Sequence, residues 1–252
     1  MDVINKIIQA RANLILDQCF FGSLALRLEL VADPICKTFW TDGRRLGFNP
    51  EYVANLSLAE TIGIICHEVM HNANGHPWRR GGRDKGEWNQ DTDYAINPIV
   101  ISAKQVLPTG ALFDSQFDGL SAEEIHARRQ QHPPQAQVES PKGQVNGGSG
   151  KPEQQEADDE KESNQQQDQQ EDQEQQQKDE QGGDEDQDFG CGEVRDCTEE
   201  DAKTQEAEWR VAVIQAAQAA KAQGKLPAGI ERLVEEIRRP KIDWRAALRR
   251  FV

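Results

Sequence analysis

The segment His67-Glu68-Val69-Met70-His71 sets two imidazoles four residues apart with a carboxylate beside the first. On a helix, four residues bring two side chains onto one face, where two ring nitrogens can converge on a single ion at about 2.0–2.1 Å. Glu68 is turned about 100° from His67 around such a helix, so its carboxylate can reach a water at the ion without being a ligand. Residues of these types at this spacing suit hydrolysis by a metal-activated water, with Glu68 as general base and then general acid. A chain of this length meets the pattern by chance on the order of one time in a hundred, and seldom mid-helix. The plain alternative buries three ionisable groups among Ile64, Ile65, Cys66, Val69 and Met70 with only ordinary hydrogen bonds, which is costly without a charge to organise them.

A hydrolytic zinc site needs a third protein ligand and an open position. Two residues are candidates. His76 follows His71 by five residues, one short of the spacing in extended-motif metallopeptidases, and Gly75 is displaced from that motif's glycine. Asp93 lies in Trp88–Asn97, where Asn89, Asp93 and Asn97 share one face of an expected second helix. A carboxylate from a second helix commonly completes such a site, so Asp93 is preferred. Asp91 falls on another face and is expected to meet solvent. Arg79, Arg80 and Arg83 read equally as a solvated basic turn, and Tyr94 as a half-buried packing residue.

The elements that must hold these groups are legible in outline. Ser57-Leu-Ala-Glu60 forms a capping box and Gly75 a helical stop, which predicts one helix through the histidines. Upstream, Ile4, Ile7, Ile8, Arg11, Leu14 and Ile15 repeat with helical period, as an inward-facing stripe. Leu24–Val31 alternates apolar and polar residues and predicts a strand; Thr38–Phe48 predicts a hairpin about Asp42-Gly43, ended by Asn49-Pro50. Further on, Thr198 caps a helix through Trp209 and Val213 to Gln223, with Gly224 as stop, and shorter helices are expected near 230–237 and 243–251. His126, on a helix at 121–129, and His132 are expected to be exposed, Cys66 to be core, and Cys191 and Cys197 to be simple thiols.

Composition separates these elements into two groups. Residues 135–189 hold 16 Gln, 17 Asp and Glu and 4 Lys, so this tract carries −13 of the chain's net −15 and the remainder only −2. Such a tract buries too little apolar surface to offset its ordering entropy and reads as a disordered acidic spacer. The expected organisation is a first domain at 1–134, the linker at 135–189, and a helical segment at 190–252 that packs back on the first. Neither half is basic enough to suggest nucleic-acid binding. No apolar run is long enough to span a membrane, the amphipathic N-terminus does not read as a signal peptide, and five scattered cysteines do not suggest a disulfide framework. The reading is cytoplasmic and reduced.

Phe21-Gly22, Thr41-Asp42-Gly43, Asn49-Pro50, Leu56-Ser57, His67-Glu68-Val69-Met70-His71, His76, Arg79, Trp88-Asn89, Asp93-Tyr94-Ala95-Ile96-Asn97 and Leu107-Pro108 follow one another in an order that resembles the predicted bacterial metal-dependent peptidases of the zincin class. The resemblance covers 1–132 and resumes near 226–252. It implies an α+β fold in which a small β-sheet packs on the HExxH helix with additional C-terminal helices. It also implies Zn2+ held by His67, His71 and Asp93, Glu68 as the catalytic group, and a peptide or protein substrate. The family usually has small residues at the positions of Asp91 and Thr92 and keeps the aspartate at 93. It keeps His76 and Arg79 too, as groups that support the ligands or, with Tyr94, stabilise an oxyanion. Its metallopeptidase domain usually precedes a von Willebrand factor A-like domain, and this chain holds no Asp-x-Ser-x-Ser motif of such a domain before Val252. Relatives occur with MoxR-type AAA+ ATPases, which gives the alternative of a non-catalytic, metal-stabilised adaptor.

Overall fold

The computed structural model of the chain describes residues 2–131 and 192–239. The acidic tract at 135–189, His132, Cys191 and the helix expected at 243–251 lie outside the described residues. The first helix, α1 (Val3–Asp17), buries Ile7, Ala10, Arg11 and Leu14. That stripe is narrower than expected, because Ile4, Ile8 and Ile15 remain 49%, 53% and 42% exposed. Arg11 is accommodated within it by donating to the carbonyls of Ala25 and Leu28, which lie at and beyond the end of α2 (Cys19–Ala25), where helix carbonyls lack intrahelical partners.

The strand expected at Leu24–Val31 is largely displaced. Helix α2 runs through Ala25, and the strand β1 spans only Glu29–Ala32. Leu24 and Leu28 are buried while Leu26 faces out, a spacing of four that a helical turn satisfies as readily as alternation does. The hairpin forms as expected, with β2 (Phe39–Thr41) antiparallel to β3 (Arg45–Phe48). Gly43 takes the left-handed conformation at φ 92°, and the Asp42 carboxylate accepts from the amides of Arg44 and Arg45 at 3.0 and 2.8 Å. Asn49 ends the sheet by capping α3 (Pro50–Asn55), whose proline stands where no amide is needed. A fourth strand, β4 (Glu193–Val194), comes from beyond the tract and completes the sheet in the order β1-β3-β2-β4, with β1 parallel to β3 and β4 parallel to β2.

The remaining helices are α4 (Leu58–Asn74), α5 (Lys85–Ser102), α6 (Ala122–Gln131), α7 (Glu199–Ala222) and α8 (Ile230–Arg238). Thr198 caps α7 through the amide of Asp201, and the chain turns after it at Gly224, where φ is 65°. One hydrophobic cluster joins Ile7 and Leu14 of α1, Phe20 and Phe21 of α2, Phe39, Leu46 and Phe48 of the sheet, Ile64, Ile65 and Val69 of α4, and Trp209 and Val213 of α7. Each such side chain, fully buried, contributes about 1.5–3 kcal/mol. Ala212, Ala216, Ala217 and Ala220 keep the inner face of α7 narrow, and the Trp209 indole donates to the Gly43 carbonyl at 2.8 Å, tying α7 to the hairpin turn. The result is a mixed α and β fold with a small sheet and several helices. Among the described residues, no helix is long and apolar enough to cross a membrane, and Cys19, Cys36, Cys66 and Cys197 are free thiols, Cys66 fully buried on α4.

Candidate metal centre

Helix α4 begins and ends where its local chemistry dictates. The Ser57 hydroxyl accepts from the Glu60 amide at 3.2 Å and the Glu60 carboxylate accepts from the Ser57 amide at 2.8 Å, while Gly75 closes the helix at φ 75°. The helix packs against α1, α2, α5, α7 and strand β2, and its middle turns are fully enclosed. His67, Glu68 and His71 lie in those turns with no solvent exposure, and Asp93 of α5 faces them, equally buried.

The donor atoms converge. His67 Nε2 and His71 Nε2 are 2.9 Å apart, and Asp93 Oδ1 stands 3.4 Å from the first and 3.3 Å from the second. Two ligands each about 2.1 Å from a tetrahedral ion lie about 3.4 Å from one another, so the triangle has close to the dimensions that such an ion requires. Asn97 sets the state of the first imidazole. Its amide nitrogen donates to the Leu112 carbonyl at 2.7 Å, which turns its oxygen toward His67 Nδ1, also at 2.7 Å. His67 Nδ1 must therefore carry the proton, which leaves the lone pair of the neutral ring on Nε2, inside the triangle. His71 Nδ1 lies 3.0 Å from His76 Nδ1. The tautomer that frees His71 Nε2 is the one in which His71 Nδ1–H donates to His76.

The two carboxylates in this centre, Glu68 and Asp93, make no hydrogen bonds, although all four oxygens are buried. Burial raises the pKa of Glu68 to about 8, against the pull of His67 and with the help of Asp93 and Glu193. For His67, burial opposes the charged ring, but the adjacent Asp93 outweighs it and lifts the pKa to about 9. His71 is driven down to about 4 by burial and by His67, and His76 well below its usual value by burial and by His71. Asp93 is held below the usual carboxylate range because His67 and His71 overcome its burial. The partnerless Glu68 carboxylate, beside an aspartate and two inward-facing imidazole nitrogens, completes a group of donors that a divalent cation would satisfy.

The other expected residues are placed differently. His76 is buried, with its ring on His71 and its carbonyl accepting from the Trp88 indole at 3.3 Å; it orients a ligand candidate and is not part of the three-residue cluster. The Arg79 guanidinium is engaged by Glu123 of α6 and the Asn74 carbonyl rather than by the cluster. The Tyr94 ring packs edge-on against Phe117 at 5.0 Å and beneath Arg129. Asp91 is not solvent-facing: it is fully buried against Arg129 and His126 of α6. Burial raises the pKa of Asp91 against both partners, and His126 is correspondingly half-buried instead of exposed.

Residues 4–252 match the family described as "Putative metallopeptidase domain". The chain belongs to that family. Membership in a metallopeptidase family implies a metal cofactor, and the His67, His71 and Asp93 group is where the described residues could hold one. No curated protein and no solved structure matches the chain.

The sequence pattern puts Asn89 and Asn97 on the Asp93 face of α5 but not what either of them holds in this candidate site. The Asn97 amide orients His67, and its position four residues after Asp93 is the only signal that points to it. Asn89, four residues before Asp93, grips the backbone of residues 192 and 194, a contact across the whole acidic tract that no local pattern announces.

Proposed function

We propose that the protein is a zinc-dependent peptidase of the zincin class, with His67, His71 and Asp93 as metal ligands and Glu68 as general base. The observation that carries this reading is the orphaned Glu68 carboxylate next to a triangle of converging nitrogen and oxygen donors. Two imidazoles and one carboxylate suit zinc among the divalent ions and leave a position for the reaction. When bound, the ion would supply a Lewis acid that polarises the scissile carbonyl and makes water acidic near neutral pH. Glu68 takes the proton from the attacking water and passes it to the leaving amine, a task suited to a carboxylate whose pKa has been raised toward neutrality. Asn97 and His76 keep the two imidazoles in the required tautomers.

The competing reading is a metal-stabilised adaptor for a MoxR-type AAA+ ATPase. Hydrolysis is favoured because a closed structural site has no use for a buried, unpartnered glutamate, and because the His76 nitrogen turns to His71 in place of serving as a fourth ligand. Glu68→Ala should retain one zinc per chain and lose peptide hydrolysis. Peptidase activity persisting in the purified, zinc-loaded variant would sink the mechanism.

A further inference from the structure

The segment that follows the acidic tract ends directly on the candidate catalytic group. A Cβ built on Gly192 would fall 1.8 Å from Glu68 Oε1, so only a residue without a side chain lets the backbone sit against that carboxylate. The next residues run extended along the edge of the sheet. Glu193 and Val194 pair with Trp40 and Thr41 of β2, and the Arg195 amide donates to the Thr41 carbonyl at 2.9 Å. Asn89 then holds both polar groups of this backbone: its amide nitrogen donates to the Gly192 carbonyl at 2.9 Å, and its oxygen accepts from the Val194 amide at 2.8 Å.

We propose that residues 192–195 are an internal stand-in for the substrate, occupying the peptide-binding edge of the site, and that a peptide is cleaved only after this segment leaves. The inference rests on the peptidase reading above. Four observations carry it. The recognition is of main-chain groups by a sheet edge and one asparagine, which is how an extended peptide is bound irrespective of its side chains. Asn89 lies on the same face of α5 as Asp93, one turn away, so the grip and the metal ligand candidate are built on one rigid element. His67, Glu68, His71 and Asp93 have no exposure while the segment is in place, so no second chain can reach them in this state. Finally, the strand is only two residues long, and its charged anchors, Glu193 to Lys85 at 2.6 Å and Arg195 to Asp33 at 3.3 Å, lie part-exposed at the surface, so it can open without unfolding the core. Asn89 then becomes available to the backbone of an incoming peptide and acts as its positioning residue.

The test weakens the anchors without replacing any residue of the cluster, and Arg195→Pro also keeps the Glu193 charge that bears on Glu68. Glu193→Lys sets a cation against Lys85 and Arg195, and Arg195→Pro removes the amide bonded to Thr41; the second variant serves if the first fails to fold. In the full-length, zinc-loaded protein, hydrogen exchange at the Val194 amide, zinc removal by 1,10-phenanthroline and cleavage of fluorescein-labelled casein are compared with wild type. All three rates should rise at least tenfold. Faster Val194 exchange with unchanged zinc removal and casein cleavage would overturn the proposal, because the segment would then leave without uncovering the site. Absence of zinc from the wild-type protein would instead remove the reading on which the proposal rests.

Discussion

Replacing Glu68 by glutamine removes a buried charge while keeping the shape of the side chain. In the metal-free protein the wild-type carboxyl has its pKa raised from 4.5 to about 8, so between those values the folded chain binds more protons than the unfolded chain. Its stability must therefore fall as pH rises through that window. The full shift corresponds to a ceiling of roughly 5 kcal/mol at pH 8 and to nothing near pH 4.5. Protonated Glu68 and the glutamine that replaces it both leave a neutral polar group without partners, so that cost cancels in the comparison. The attraction between Glu68 and protonated His67 is already contained in that shift, and relaxation of the folded chain around the carboxylate lowers the ceiling further. A net stabilisation of about 2 kcal/mol or more is expected at pH 8, with near equality at pH 5. Urea unfolding in the presence of EDTA measures it: with a slope of about 2 kcal/mol per molar, the midpoint of Glu68→Gln should lie about 1 M above wild type at pH 8. Equal midpoints at pH 8 would refute the reasoning, because Glu68 would then be solvated or paired and not an orphaned buried anion.

Other perturbations probe the surrounding layers of the site. Asn97→Ala removes the acceptor that fixes the His67 tautomer and should weaken zinc affinity by about 10–100-fold in a competition titration, with the fold retained by circular dichroism. Asp91→Ala deprives Arg129 and His126 of their buried partner. The expected cost is roughly 2 kcal/mol in chemical denaturation, below the roughly 3–5 kcal/mol typical of a fully buried pair because both partners keep some contact with water. Trp209→Ala should cost about 3–5 kcal/mol, since its ring lies in the core shared by α1, α2, α4 and α7 and its indole holds the Gly43 carbonyl; a loss below about 1 kcal/mol would mean that α7 is not part of that core.

What could be read from the residues is what depends on near neighbours. Helix α4 carries its cap, its apolar turns, its histidines and its stop within about twenty residues, so each signal supports the others. Asp93 was accessible for a related reason: spacings of four placed it on one face with Asn89 and Asn97. The parts that escaped depend on partners far along the chain. The side of α5 that bears Asp91 looks like a solvent face until α6 brings Arg129 and His126 over it. The parallel pairing of β1 with β3, and of β4 with β2, is set by packing and leaves no mark in the alternation of short strands. Leu24–Ala25 close a helix whose preceding turn, with Phe20 and Phe21, is buried in the core, a tertiary contact that overrides the local alternation. Gly192 offered no signal as a lone glycine past an acidic tract, and its meaning comes only from the carboxylate against which it lies.

The central claim is that His67, His71 and Asp93 hold a zinc ion beside Glu68. Metal analysis with zinc K-edge absorption on the wild-type protein and on Asp93→Ala tests it most directly. One zinc per wild-type chain is expected, with two imidazole nitrogens at about 2.0–2.1 Å and oxygen completing the shell, and stoichiometric zinc should be lost in Asp93→Ala. A wild-type protein that binds no zinc, or an Asp93→Ala variant whose zinc content and spectrum are those of wild type, would contradict it.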